Sequence, residues 1–254
     1  MNKTQILIGN LTIEEPATMI TDLIVATICL FAFTKLYKGL NRDKKHEKLY
    51  LHFFFCMGMC TLFGALMTHA FGYYFLPSEY ANINDFSILP WTEQLKMNLY
   101  KLPNWIFNIS SVTFFAYASI SRADEILNIK NKKLIYLLTA IETIIIISLT
   151  LYKFTFLFAE IHIGISLLIF SAPFQIKIWK KYQKPDAKFI LLATLITTFV
   201  PGIMIPKLCI NQWFNYNDIS HVFISCAMIS FYIAGLYWIK EYESDTENQK
   251  LELA

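Results

Sequence analysis

Charge is scarce in this chain. Of 254 residues only 16% are charged while 56% are hydrophobic, and mean hydropathy is +0.44. That balance excludes an ordinary soluble domain. The net charge is a modest +3, with the basic residues in short loops and no basic face interleaved with aromatics, so no nucleic-acid partner is expected. Cysteine is sparse and dispersed: Cys29, Cys56, Cys60 and Cys226 fall inside apolar runs and Cys209 near a helix end. Cys56 and Cys60 are four apart, but without a second pair or a nearby histidine they read as small core residues rather than a metal knuckle. Residues 1–16 have no basic leader, and the first apolar run ends in charge rather than a cleavage site, so that run is expected to stay as a membrane span. Internal repeats and low-complexity segments are absent. So are a G-x-S-x-G elbow, a P-loop and an H-E-x-x-H pair. No lysine lies between Asn217 and Ile239 to carry a retinal.

What the chain does have is apolar length. Seven stretches, near 17–38, 49–75, 97–120, 133–152, 155–179, 187–206 and 217–239, approach the roughly 20 residues that cross a bilayer. They predict an all-α membrane protein, one domain of seven transmembrane helices over residues 1–254. Only Tyr152-Lys153-Phe154 separates the fourth stretch from the fifth, which predicts a tight turn. The longest loop is Leu76 to Leu95, and residues 241–254 read as a flexible cytoplasmic tail. The loops after helices one, three and five, with the C-terminal tail, hold 17 of the 22 lysines and arginines. That asymmetry places the N-terminus outside and the C-terminus in the cytoplasm of a cell-membrane protein. Trp179 and Trp238 then lie at inner helix ends, and Trp91 and Trp213 at outer ones.

Polar residues gather at one depth. By helical rise His69 lies roughly 9 Å below the outer surface, His162 roughly 10 Å, His221 about 6 Å and Asp22 about 8 Å. Ionisable residues at such depth usually face the bundle interior. Glu15, Thr18 and Asp22 form a stripe along one face of helix one. In the seventh run Asn217 and His221 share a face, with Asp218 in reach of His221. This group reads either as a helix cap plus an interhelical histidine or as part of a site. Glu14-Glu15-Pro16 reads likewise, as a cap or as ligands for a hard cation. Asn104 and Asn108 share a face of helix three, where small polar residues also serve as interhelical glue. Gly64, Thr68 and Gly72 read as a close-packing face of helix two. Glu142 stands mid-membrane with no obvious partner and reads either as a protonated carboxyl or as the mark of a proton or ion path, and Glu160 and His162 face opposite ways.

At these residues the chain resembles the seven-helix superfamily of the alkaline ceramidases and the progestin and adipoQ receptors. It is more similar still to an uncharacterised bacterial seven-helix family. The resemblance rests on Glu15-Pro16 with Thr18 and Asp22, on Gly64 to Phe71 around His69, and on Asn217 to His221. It implies zinc held by His69 and His221 with a third ligand from His162 or Asp218. It also implies Asp218 or Asp22 as catalytic base or orienter, and a calcium ion near Glu14 and Glu15. Asn217 stands where the first histidine of the family's helix-seven pair belongs, and Ala65 where a serine belongs. The family's helix-three aspartate has only Glu79 and Asp85, in the preceding loop, as loose substitutes. The expected activity is a metal-dependent intramembrane hydrolase of a lipid amide or ester, acting in the outer leaflet on membrane lipids. The alternative is a heptahelical receptor or lipid-binding protein whose polar layer is structural.

Overall fold

The computed structural model describes residues 4–9, 11–75 and 90–252. It opens on an element that hydropathy does not announce, an antiparallel hairpin of β1 (Gln5–Ile8) and β2 (Leu11–Glu14). The hairpin is anchored at its base, where the Glu15 N–H donates to the Thr4 carbonyl at 2.8 Å. On its side, the Thr12 N–H donates to the Tyr74 hydroxyl at 2.8 Å. Pro16 then starts α1 (Pro16–Gly39), as suits a residue with no N–H and a preset φ.

Six more long helices follow: α2 (Lys45–Ala70), α3 (Leu102–Leu127), α4 (Lys132–Lys153), α5 (Leu157–Tyr182), α6 (Pro185–Met204) and α7 (Tyr216–Glu252). All but α3 are long and apolar enough to cross a membrane, which makes the chain an all-α, multi-pass membrane protein apart from its hairpin. In α3, Asn104, Asn108, Ser110, Ser111 and Arg122 dilute the apolar character. Phe154 takes a left-handed conformation (φ 46°) and makes the short turn from α4 to α5. The residues expected to form the tail continue α7 as helix through Glu252. Its Glu, Lys and Gln residues are good helix formers.

The packing places α1 against α2 and α7, α2 against α3, and α6 against α5 and α7. Tyr50, Phe53 and Phe54 of α2, Phe115 of α3 and Phe231 of α7 form the central aromatic core. Each such ring pair adds about 0.5–1.5 kcal/mol beyond its buried area. The Tyr50 hydroxyl reaches the Phe231 carbonyl at 2.6 Å. At the end of the bundle away from the hairpin, buried charges tie α3, α6 and α7 together. Arg122 donates to Glu241 at 2.5 Å and to Asp186 at 3.4 Å, and the Trp238 indole N–H also donates to Asp186. Beside them, His46 Nδ1 lies 3.0 Å from Glu125.

Helices α2 and α5 each contain one π-helical segment, Gly64–Ala70 and Ser166–Ser171. A π segment adds one residue to a turn, so residues five apart come to share a face.

Candidate functional site

The hairpin end of the bundle gathers side chains from α1, α2 and α7. Glu15 is held at φ 43°, ψ 53°, a left-handed conformation that costs a non-glycine residue of order 1–3 kcal/mol. The kink leaves its carboxylate Oε2 2.8 Å from His69 Nδ1. One turn on, α1 presents Thr18, Thr21 and Asp22, all buried. From α2, the π turn brings Gly64 and His69, five apart, to the same α1 side chain. A Cβ on Gly64 would stand 2.9 Å from Asp22 Oδ2, and His69 Nε2 lies 3.8 Å from the same oxygen. From α7, His221 Nε2 lies 3.3 Å from Asp22 Oδ1, and the two imidazole centroids are 6.4 Å apart.

The start of α7 explains how His221 is aimed. Asn215 caps the helix, its Oδ1 accepting the Asn217 N–H at 2.7 Å, while Asp218 Oδ2 accepts the Asn215 N–H at 2.6 Å. This is a reciprocal capping box. Asp218 Oδ1 is 3.4 Å from the Thr21 hydroxyl, which in turn is 3.0 Å from His221 Nδ1. Both Asp218 oxygens are therefore engaged, one at the start of α7 and one, through Thr21, beside His221.

Glu15, as a carboxylate, only accepts, so His69 carries its proton on Nδ1 and leaves Nε2 bare. Thr21 has one hydroxyl hydrogen, and the Thr18 carbonyl (3.0 Å) and Asp218 Oδ1 both claim it. The Thr21 hydroxyl and His221 Nδ1 are 3.0 Å apart, and which of the two donates depends on the tautomer of His221. The Nε2 atoms of His69 and His221 thus face the two oxygens of one carboxylate, at 3.8 and 3.3 Å.

The donor set is of the right kind for zinc, which binds histidine nitrogen and carboxylate oxygen. In a tetrahedron with bonds of about 2.0–2.1 Å, donors sit about 3.3 Å apart. The spacing at His221 meets that value, and the spacing at His69 exceeds it by about 0.5 Å. Two imidazoles on one such ion would bring their centroids to about 5 Å, closer than the 6.4 Å here. Accordingly, as the side chains stand, no group of three or more His, Cys, Asp or Glu among the described residues could hold a metal ion.

The other expected ligands lie elsewhere. His162 is fully buried between α3, α4 and α5, with Nδ1 2.9 Å from both Glu142 oxygens and Nε2 3.0 Å from the Thr113 hydroxyl. Equal depth had placed it with His69, but the width of the bundle separates them. The same contact gives Glu142 the partner the sequence did not show. No side-chain hydrogen bond of Asn217 reaches the cluster among the described residues. Glu14 accepts from Gln5 at 3.3 Å, and Glu15 serves His69. Burial, with the Glu14 and Glu15 carboxylates adding, pushes the nearby Tyr100 phenol up to about 12. Glu79 and Asp85 lie outside the described residues.

Sequence reasoning missed Thr21, the polar contact of Cys60, and the alignment of Gly64 with His69. The Cys60 thiol donates to Asn104 Oδ1 at 3.1 Å, which extends the polar group inward from Asp22. Thr21 was readable as the neighbour of Asp22, but the alignment of Gly64 with His69 was not, since it depends on the π turn. Beside the cluster, Met67, Phe75, Leu99, Tyr100 and Pro103, with Lys96, line a mostly apolar groove of about 340 Å3.

Residues 17–240 match the model of a family described as a family of unknown function, DUF6962. No curated protein and no solved structure matches the chain.

Proposed function

The chain belongs to the DUF6962 family, and we propose that it is a metal-dependent intramembrane hydrolase of a lipid amide or ester. The observation that carries the reading is the convergence of two imidazole nitrogens on the Asp22 carboxylate. His69, His221 and Asp22 are the proposed ligands of a zinc ion. Glu15 and Asp218, the latter through Thr21, hold the two imidazoles in the tautomers a ligand needs. Bound there, zinc supplies Lewis-acid polarisation of a carbonyl and acidified water. The protein's own part is to fix the rings, exclude bulk water and seat an acyl chain. The groove at Met67 and Tyr100 offers apolar walls for that chain next to His69.

All seven long helices cross the bilayer in this reading, with α3 shielded by its neighbours. The lysine and arginine asymmetry puts the hairpin and the cluster on the outer side. One observation favours a second reading, a receptor or lipid-binding protein without chemistry. Asp22 and Glu15 flank His69 on both sides, so a doubly protonated His69 would complete the cluster without a metal.

Elemental analysis of detergent-purified protein separates the two. The hydrolase reading expects about one zinc per chain, falling at least tenfold in His69→Ala and His221→Ala, with release of fatty acid from a fluorogenic ceramide or ester following the metal. Folded protein free of zinc, and unable to take it up from zinc-supplemented buffer, leaves the receptor reading.

A further inference from the structure

A second polar system runs down the middle of the bundle, away from His69. On α5 the residues His162, Ser166, Ser171 and Gln175 are all fully buried. Their spacing is four, five, four. In an unbroken α-helix the five-residue step would turn Ser171 and Gln175 off the face. The π segment from Ser166 to Ser171 absorbs the extra residue and restores one continuous stripe. The stripe spans thirteen residue steps, roughly 20 Å, or about two thirds of a hydrocarbon core. Helix α3 lies along it: the Thr113 hydroxyl is 3.0 Å from His162 Nε2, and Ser119 Oγ is 2.9 Å from Ser171 Oγ.

Both ends carry titratable groups. At one, Glu142 reaches in from the peripheral helix α4 to His162. At the other, α3 continues to Arg122 with Asp186 and Glu241. Between them several buried atoms find no partner among the described residues: Ser166 Oγ, both amide atoms of Gln175 and, on α6, Thr194 Oγ1. A buried amide left wholly unpaired is costly, and in native proteins such groups are met by ordered water. Helix contact alone does not explain Gln175, whose donor and acceptor both stay unused.

We infer that this stripe holds a file of water and conducts protons between the Glu142–His162 pair and the Arg122–Asp186–Glu241 network. A proton taken up at Glu142 passes to His162 and Thr113. It then moves along hydrogen-bonded water past Ser166, Ser171 and Gln175, each transfer making one O–H or N–H bond as another breaks. No metal or cofactor takes part, and the inference stands apart from the reading of the His69 cluster.

The test uses the full chain in vesicles with a pH-sensitive dye inside. A potassium gradient and valinomycin set the voltage and balance the charge. The expected result is proton flux at least tenfold above protein-free vesicles, returning to that baseline in Glu142→Gln and in Gln175→Leu. Thermal melting of each variant checks that it is folded. If Gln175→Leu does not fold, Ser166→Ala takes its place, with at least a threefold loss of flux expected. Wild-type flux at the protein-free level overturns the inference, as does flux that persists in folded Glu142→Gln. A Gln175→Leu variant that melts higher while wild type conducts nothing identifies the stripe as dry interhelical packing.

Discussion

Replacing Gly64 by alanine tests the site at its tightest point. The added methyl would stand 2.9 Å from Asp22 Oδ2 and 2.9 Å from Asn104 Nδ2, and 3.6 Å from Asp22 Cγ. Ordinary contact begins near 3.4 Å, so each polar atom must retreat about 0.5 Å. Neither retreats freely. Asp22 lies between His69 and His221, and Asn104 accepts from Cys60. Overpacking of this size costs about 1–3 kcal/mol, against a gain of about 0.5–1 for alanine over glycine in a helix. The net is a loss of about 0–2.5 kcal/mol. For a chain of this length that lowers the melting temperature by up to about 10 °C. Gly202 is the matched control, because a Cβ there meets nothing within 4 Å. Gly202→Ala should therefore hold or raise the melting temperature, measured in the same detergent. Zinc content should fall in Gly64→Ala and stay unchanged in Gly202→Ala. A Gly64→Ala protein as stable and as metal-loaded as Gly202→Ala would refute the claim that Asp22 is wedged over this glycine.

Asp186→Ala should destabilise by about 3–5 kcal/mol in denaturant unfolding, because it leaves Arg122 short of a buried partner and the Trp238 N–H unpaired. Asp186→Asn, which keeps an acceptor, should recover part of that loss. Deleting Leu66 from the π segment should be tolerated, since it leaves His69 four residues from Gly64 and on the same α-helical face. Deleting Cys56 from the regular part of α2 should abolish folding, as judged by gel filtration, by turning Gly64 and His69 about 100° away from α1. In a background without native cysteines, a single cysteine at Gln212 should label from outside and one at Lys184 only from the cytoplasm. Reversed labelling would invert the orientation and move the His69 cluster to the inner side; Ser87, the natural outer position by sequence, lies outside the described residues.

Hydropathy made the helices legible because each long apolar run must satisfy its backbone within itself. It also gave the α4–α5 turn, since three residues leave little room for anything else. The hairpin was not legible. Two four-residue strands carry too little periodicity to stand out, and their place is set by Thr4, Glu15 and Tyr74 rather than by their own pattern. At the site, Asp22, His69 and His221 could be gathered by depth, because a charged or titratable group in apolar surroundings seeks its own kind. Depth is one coordinate of three, and it put His162 in the same layer while α3 and α4 hold it elsewhere. The role of Asp218 was half visible: the cap could be read from Asn215 to Asp218, but the link to Thr21 crosses from α7 to α1.

Both polar systems depend on the same departure from helical period. Read with 3.6 residues per turn, α2 pairs Gly64 with Thr68 and Gly72, and α5 separates Ser166 from Ser171. The π segments change both pairings. In α2 the extra residue takes His69 to Asp22 beside Gly64, and in α5 it keeps Gln175 in line with His162. A π turn strains backbone hydrogen bonding, so it persists where tertiary contacts repay it. Here those contacts are polar ones: Glu15 and Asp22 on His69, Ser119 on Ser171. Apolar packing alone would be served as well by a regular helix with one residue fewer. The two irregular turns therefore mark the segments where the placement of polar side chains, rather than the filling of the core, decides the sequence.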